Sequence, residues 1–509
     1  MRGGFSRTMD LSAFLRLLAA GWTLIRADAL IPRELDLLLP PGVRTLAGFL
    51  RLFSGRQARQ GRPGERLARS LERLGPVAIK LGQVLSTRAD IFGNVFAQDL
   101  ARLKDALPPF PTAEAKAEVE RELGRPLAEL FPVFGEPVAA ASLAQAHRAT
   151  MADGREVAVK ILRPGIERRV ADDSATLRMA GRLIEGLVPP ARRLEPVAFA
   201  ETVVRSLQLE LDMRFEAAGA AELTEIMNRD SWMRAPRVIW DGVARRVLTL
   251  EWVDGLPLSD PATLDAPGLD RKAVADNLIR AFLAQALDHG VFHADLHEGN
   301  LFVVPPTGIV AVDFGIVGRL PPETRRYLAE ILYGFLTRDY ARVSKAHFDA
   351  GYVPAHHDPD AFAQALRAVG EPVFGRAASE LSMSRLLSLL FEITALFDMR
   401  LRPELVLLQK TMVTVEGVAR RLWPDHDLWA AADPVVRRWI ARELSPVARM
   451  KEFADEALRA VRAIARMAEN DATAQPVILA PAPTVSGMAW LAAGAAIAGA
   501  AFVLARLLG

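Results

Sequence analysis

The fold is decided by "VFHADLHEGNLFV" (residues 291–303), joined by a Pro-Pro-Thr-Gly turn to "IVAVDFGIVG" (309–318). Two histidines and three acids lie close together there, which is compatible with a metal site or a hydrolase. On a helix, His293 and His297 would make a zinc pair one turn apart. Gly299 and the strand-like run after it argue for a loop instead. What needs explaining is Asp295 and Asn300, five residues apart, and then Asp313 in Asp-Phe-Gly.

The surrounding chain supplies a layout. Residues 64–130 read as mainly helical, with boundaries at Gly75-Pro76, Pro108-Pro109 and Gly124. From Pro137 to Lys160 the pattern is strand, turn, strand, with Asp153-Gly154 at the turn. Residues 166–230 read as helical again, and "RVLTLEWV" (246–253) is rich in strand formers. Beyond Asp260 the pattern is helical except for two short strands at 301–304 and 309–312. The expected class is α+β, a protein-kinase-like fold of two lobes with a helical extension before them. The expected divisions are 1–135 (helical extension), 136–255 (small lobe), 256–470 (helical lobe) and 471–509 (linker and membrane helix).

That layout gives the opening residues a chemistry. An Asp-x4-Asn loop sets a carboxylate beside a transferred phosphoryl group and an amide oxygen on a metal ion, and Asp-Phe-Gly adds a second metal ligand. Asn300 and Asp313 offer the hard oxygens Mg²⁺ prefers. Asp295 is then the base or the residue that positions the nucleophile. "VAVK" (157–160) places Lys160 on a strand within reach of the α- and β-phosphates of ATP. In "LELDMRFEAAG" (209–219) Glu216 is placed to pair with Lys160, the bland alternative being a surface ion pair within its own helix. "LTLEWVDG" (248–255) looks like a hinge, where backbone groups of Glu251 and Val253 would read adenine and Leu250 would back it.

Two features depart from a protein kinase. The phosphate loop reads Ala139-x-Ala141-x-x-Ala144 where glycines are usual, and each Cβ restricts the backbone and its approach to phosphate. There is no Ala-Pro-Glu motif, and "RLPPETRRYLAEIL" (319–332) starts a helix soon after Asp-Phe-Gly, so the segment that docks peptide substrates is missing.

With these departures, the chain resembles the UbiB family of atypical kinase-like proteins tied to ubiquinone (coenzyme Q) biosynthesis. "KLGQ" (80–83) with "STRAD" behind it resembles the family's KxGQ signature, and "AAASLAQAHRA" (139–149) its Ala-rich loop. "ELD" (210–212) resembles its ExD motif, "FHADLHEGN" with "VDFG" its catalytic core, and 404–429 its C-terminal stretch. At His297-Glu298 family members often read Pro-His-Pro, a departure expected to have no mechanistic consequence. The resemblance covers most of residues 11–430. It implies that the KxGQ segment folds over the nucleotide site, that Lys80 pairs with Glu210 or Asp212, and that Gln83 lies near the phosphates. It places Ala139, Ala140, Ala141, Ser142, Leu143 and Ala144 around the nucleotide. It implies an ATPase acting with ATP and Mg²⁺ in ubiquinone biosynthesis, with quinone-precursor lipids and biosynthetic proteins as partners. A kinase for a small molecule or protein, and a nucleotide-sensing scaffold with little turnover, stay open beside it.

Composition bounds the rest. A formal net charge of +2 predicts no nucleic-acid partner, and the absence of cysteine excludes disulfides, thiolate catalysis and Cys-ligated metal centres. Residues 485–505, "VSGMAWLAAGAAIAGAAFVLA", are long and apolar enough to span a bilayer, with a buried Ala-rich core helix as the alternative. The excess of basic residues before this run puts the globular part on the cytoplasmic side of a bacterial inner membrane. Small residues at helical spacing within it leave a homodimer open. Residues 11–31 read as an amphipathic helix through Leu11, Phe14, Leu15, Leu18, Trp22 and Ile25, expected to pack on the domain, with the membrane surface as the alternative.

Overall fold

The structure, a computed structural model, describes residues 11–30, 41–55, 60–86, 94–101, 108–187, 195–374 and 402–443, with isolated residues between them. The run at 485–505 expected to cross a membrane lies outside the described residues. Among the described residues no helix is long and apolar enough to cross one.

The chain begins with helices α1 (Leu11–Arg26), α2 (Pro41–Leu50), α3 (Pro63–Leu74), α4 (Pro76–Ser86) and α5 (Asn94–Ala101). The Gly75-Pro76 boundary separates α3 from α4: Gly75 takes φ 106°, which a Cβ would strain, and Pro76 opens the next helix, where no N–H is needed. Leu71, Leu100 and Leu103 pack α3 and α5 together.

α1 packs on the domain as expected, but the expected stripe carries little of that packing: Phe14 and Ile25 are only half-buried. Ala13 is buried and Arg16 bonds Asp172 and Thr176 of the neighbouring helix, while Leu11, Leu15, Leu18 and Trp22 are exposed. The small and charged side of the helix is the one that packs.

After α6 (Thr112–Leu123) and α7 (Leu127–Leu130) comes an antiparallel sheet. It is built from β1 (Val133–Ala140), β2 (Ala144–Thr150), β3 (Glu156–Leu162) and β4 (Val247–Glu251), in that spatial order. Gly154, at φ 86°, makes the β2–β3 turn, as the sequence indicates. The strands start earlier than expected, at Val133. Side chains alternate across a strand, so Val157, Val159 and Ile161 bury against Ala115 and Val119 of α6, and Lys160 faces the other side.

Among the described residues three α-helices run between β3 and β4: α8 (Ile166–Leu187), α9 (Pro196–Glu210) and α10 (Met213–Asp230). Asp212 caps α10 by accepting from the Arg214 N–H at 3.1 Å.

The helical part follows: β5 (Leu256–Pro257), α11 (Arg271–Leu283), β6 (Val291–His293), β7 (Leu301–Val304), β8 (Gly308–Ala311) and β9 (Val317–Arg319). It continues with α12 (Pro322–Leu336), α13 (Tyr340–Asp349), α14 (Pro359–Phe374), α15 (Pro403–Leu422) and α16 (Leu428–Glu443). β7 and β8 are the two expected strands. β5, β6 and β9, of two or three residues each, are too short to show a period in sequence. The main core runs from α10 through β4 and α11 to Phe292, Phe314 and Trp439, so the opening motif is a loop rooted in packed apolar side chains.

Candidate functional site

Lys160, on the open face of β3, is the centre of the site. Its Nζ lies 2.8 and 3.0 Å from the two carboxylate oxygens of Glu216, in the first turn of α10, and 3.4 Å from Asp313 Oδ2. Burial by itself would lower the lysine's pKa, but Asp313 and Glu216 outweigh it and push it above the ordinary value. The two acids respond oppositely. Burial pushes Glu216 up despite Lys160, whereas Lys160 pulls the half-exposed Asp313 down. Asp313 sits in the left-handed region at φ 62°, and its Oδ1 accepts the Gly315 N–H at 3.2 Å. A non-glycine residue held there stores strain, as residues at functional sites often do.

The Asp295–Asn300 loop is pinned from three sides. His293 is fully buried, its Nδ1 accepts from the Asp295 N–H at 3.1 Å, and Nε2 is 3.2 Å from the Val312 carbonyl. Since Nδ1 accepts, the proton sits on Nε2 and is donated to Val312, and burial lowers the imidazole's pKa so the ring stays neutral. The Asn300 amide donates to the Asp295 carbonyl at 3.0 Å, and Val312 N–H donates to the Asn300 carbonyl at 2.9 Å. The amide nitrogen is thereby engaged and Oδ1 is left as the acceptor. Gln285, buried in a π-helical turn (Ala284–His289), accepts the His293 N–H at 3.0 Å. From the far side Arg421 of α15 pairs with Glu298, and the Thr411 hydroxyl is shared between the carbonyls of Leu407 (2.8 Å) and Ala294 (3.1 Å).

The zinc reading of His293 and His297 is overturned by this geometry. His293 is spent on backbone groups, while His297 turns to Asp295 Oδ2 at 3.6 Å and accepts the Gly299 N–H. Glu298, expected to be without consequence, ties the loop to α15.

The Ala-rich loop folds inward. Ala139 and Ala140 end β1, Ala141 N–H donates to the Ala144 carbonyl at 2.8 Å, and Ser142, Leu143 and Ala144 are buried. Arg163 holds the turn by donating to the carbonyls of Ala141 (Nε, 2.9 Å) and Leu143 (N–H, 2.8 Å). Lys80 of α4 forms its ion pair with Glu210 at the end of α9. Of the two acids offered for that pairing, Asp212 is not the partner. It is held at 2.8 and 2.6 Å by the Arg214 guanidinium, which depresses its pKa. Gln83 lies one turn beyond Lys80, half-buried. At the hinge the Glu251 N–H donates to the Arg237 carbonyl at 2.8 Å and its carboxylate faces Arg234 and Arg237. Leu250 is buried, and Val253 N–H has no backbone partner among the described residues.

Residues 102–347 match the ABC1 atypical kinase-like domain, and residues 366–427 match the UbiB helical domain. The chain is 39% identical over 454 residues to a probable protein kinase UbiB of Pseudomonas aeruginosa, covering 87% of this chain and 85% of that one. It belongs to the UbiB family. A second UbiB relative, from Marinobacter nauticus, is 38% identical over 395 residues, or 77% of this chain and 72% of the relative. Among solved structures it is similar to Rv3197 of Mycobacterium tuberculosis, solved with erythromycin, at a TM-score of 0.51 and 24% identity. That likeness covers 72% of this chain and 93% of that one and shows the fold. The α+β, protein-kinase-like expectation is thereby met.

Sequence reading missed the supports of this UbiB-family site: Gln285, Thr411, Arg163 and Arg421. His293 carried a signal, two residues before Asp295. The others are ordinary helix or strand-end residues whose role arises from contacts distant in sequence.

Proposed function

We propose that this UbiB-family chain is a membrane-anchored, atypical kinase-like ATPase that supports ubiquinone biosynthesis. The observation carrying this reading is the bonding of Lys160 to Glu216 and Asp313 at once, beside a loop that holds Asp295 and Asn300 in place. In this reading ATP lies between the sheet and the helical part, with adenine at the backbone of Glu251 and Val253 and phosphates near Lys160, Gln83 and the Ala139–Ala144 loop. The free Asn300 Oδ1 and the Asp313 carboxylate are the donor set Mg²⁺ takes, so the residues fit that ion. When bound, Mg²⁺ would neutralise charge on the β- and γ-phosphates. Lys160 would hold the α- and β-phosphates, and Asp295 would orient the attacking water and take its proton as the bond to the β-phosphate oxygen breaks.

Anchoring rests on residues 485–505 and on the exposed Leu11, Leu15, Leu18 and Trp22. The bacterial inner membrane, with the kinase-like part cytoplasmic, and quinone-precursor lipids as partners belong to the same reading, as does the division at 135, 255 and 470. A nucleotide-sensing scaffold with little turnover is a second reading, favoured by the Lys80–Glu210 pair and the inward-folded Ala loop. A kinase for a small molecule or protein is a third, permitted by the same four residues, Lys160, Asp295, Asn300 and Asp313. Phosphate release from ATP by the purified chain, without acceptor, tests the first. ATP bound without turnover would replace it with the scaffold. Accumulation of a quinone precursor in a deletion strain tests the pathway.

A further inference from the structure

A second cluster of chemistry-bearing side chains lies on the helical part, away from Lys160 in sequence and with partners of its own. His356 and His357 sit in the turn between α13 and α14, and Asp398 in the turn ahead of α15. One ligand atom from each residue can be chosen so that all three lie within 4.8 Å of one another, the only such group of three among the described residues. Both imidazole Nε2 atoms face the same carboxylate oxygen, Asp398 Oδ2, His357 at 3.3 Å and His356 at 3.8 Å. The rings lie 4.1 Å apart, tilted by 37°.

Three details make this more than a surface ion pair. Asp398 is held in the left-handed region at φ 48°, a cost that one exposed pair, worth at most about 1 kcal/mol, does not repay well. His357 is seated rather than loose: its ring packs edgewise on Phe397 at 5.4 Å, and Phe397 on Phe362 at 4.9 Å, so the core of this part orients it. The outward side stays open, with His356 67% and Asp398 71% exposed.

We propose that His356, His357 and Asp398 bind one first-row divalent transition-metal ion, Zn²⁺ foremost, which fastens the 356–357 turn to the 398 turn. Two imidazoles and a carboxylate suit zinc and its neighbours, and are a poor set for Mg²⁺ or Ca²⁺, which take oxygen. Around tetrahedral zinc, ligand atoms sit about 3.3 Å apart, so the present spacings close by small side-chain rotations. The fourth position faces solvent and takes water. The ion would join the ends of a chain excursion of about 40 residues, whose closure in the unfolded chain is entropically costly. It would therefore stabilise the apolar cluster that Val353, Phe362 and Phe397 share. This proposal stands independently of the nucleotide site.

The test is a Zn²⁺ titration of chelator-treated full-length protein in detergent, by competition with a chromophoric chelator, with excess Mg-ATP present to occupy the Asn300–Asp313 position. Wild type is compared with His356→Ala, His357→Ala and Asp398→Asn, with thermal unfolding as a second readout. His356 and Asp398 are exposed, so their variants should melt with wild type in chelator, while His357→Ala, which removes a ring packed on Phe397, is read by its Zn²⁺ affinity and by the absence of a Zn²⁺-induced rise. The proposal expects one Zn²⁺ equivalent in wild type, weakened in each variant by more than about 10-fold, because even lost outer-shell partners cost that much. It also expects Zn²⁺ to raise the melting temperature of wild type alone. Equal affinity and stoichiometry in all four proteins, no binding in wild type, or binding only in Zn²⁺-bridged aggregates would each overturn it.

Discussion

Arg421 forms an ion pair with Glu298, so a helix of the UbiB helical segment grips the loop that carries Asp295 and Asn300. In this chain the helix α12 starts soon after Asp-Phe-Gly, at Pro322. Support for the loop comes from α15, through Arg421 and Thr411.

Breaking that support should affect turnover more than nucleotide binding. Arg421→Ala and Glu298→Ala should each lower kcat for ATP hydrolysis by about 3- to 10-fold, with a coupling of about 0.5–1 kcal/mol, since both groups are partly exposed. A double-mutant cycle on kcat, beside nucleotide titrations, measures this. Strictly additive effects would remove Arg421 from the account.

Asp313→Asn should abolish Mg²⁺-dependent ATP affinity and turnover and lower the melting temperature modestly, with the chain still folded, because Lys160 loses a charged partner. Asparagine keeps the shape but offers a weaker metal ligand and no charge to Lys160. Titrations with and without Mg²⁺ give the result; unchanged Mg²⁺ dependence would sink the metal assignment.

Acid should stop any ATP turnover before it unfolds the protein. Burial raises the pKa of Glu216, so on acidification it takes a proton above the ordinary glutamate range and weakens the hold on Lys160. A folded-state carboxyl with a raised value binds its proton more tightly than the unfolded chain does. Protonation in that window therefore does not reduce global stability. Asp313 works the other way: its depressed value contributes stability above the unfolded pKa, and that contribution is lost only as pH falls through the folded one. Turnover measured from pH 7 downwards should decline while the circular dichroism signal persists. Glu216→Gln should be weak throughout and lack that decline.

Ala141→Gly should loosen the inward-folded loop. Its N–H and carbonyl are both engaged, by Ala144 and Arg163, and removing the Cβ widens the conformations that compete with that turn. The relative affinities for ATP and ADP should change, labelling of the protein by radioactive ATP should rise, and complementation in cells should fall. Wild-type behaviour in all three would make the alanines structural only.

Truncation after Asn470 should release the protein from membranes to the extent that 485–505 anchors it. Fractionation of the truncated chain also reads the exposed stripe on α1. Retention that is lost on Trp22→Ser would assign that stripe to the lipid surface.

Residue type and spacing alone brought Lys160, Asp295, Asn300 and Asp313 into one hypothesis. The hairpin at Gly154, the break at Gly75-Pro76 and the alternation of β3 are local preferences, readable because each depends on neighbours within a few residues. The choice of Glu210 over Asp212 for Lys80 was not readable, because Arg214 claims Asp212 once α10 forms. Nor was the face of α1 that packs, since Arg16 meets a partner helix some 160 residues on. Arg421, Thr411, Gln285 and the His356–His357–Asp398 cluster act only through contacts between segments far apart in the chain. Periodicity reports which side of an element is apolar. Which group each polar side chain then meets is set by how the elements pack, and only the tertiary structure decides it.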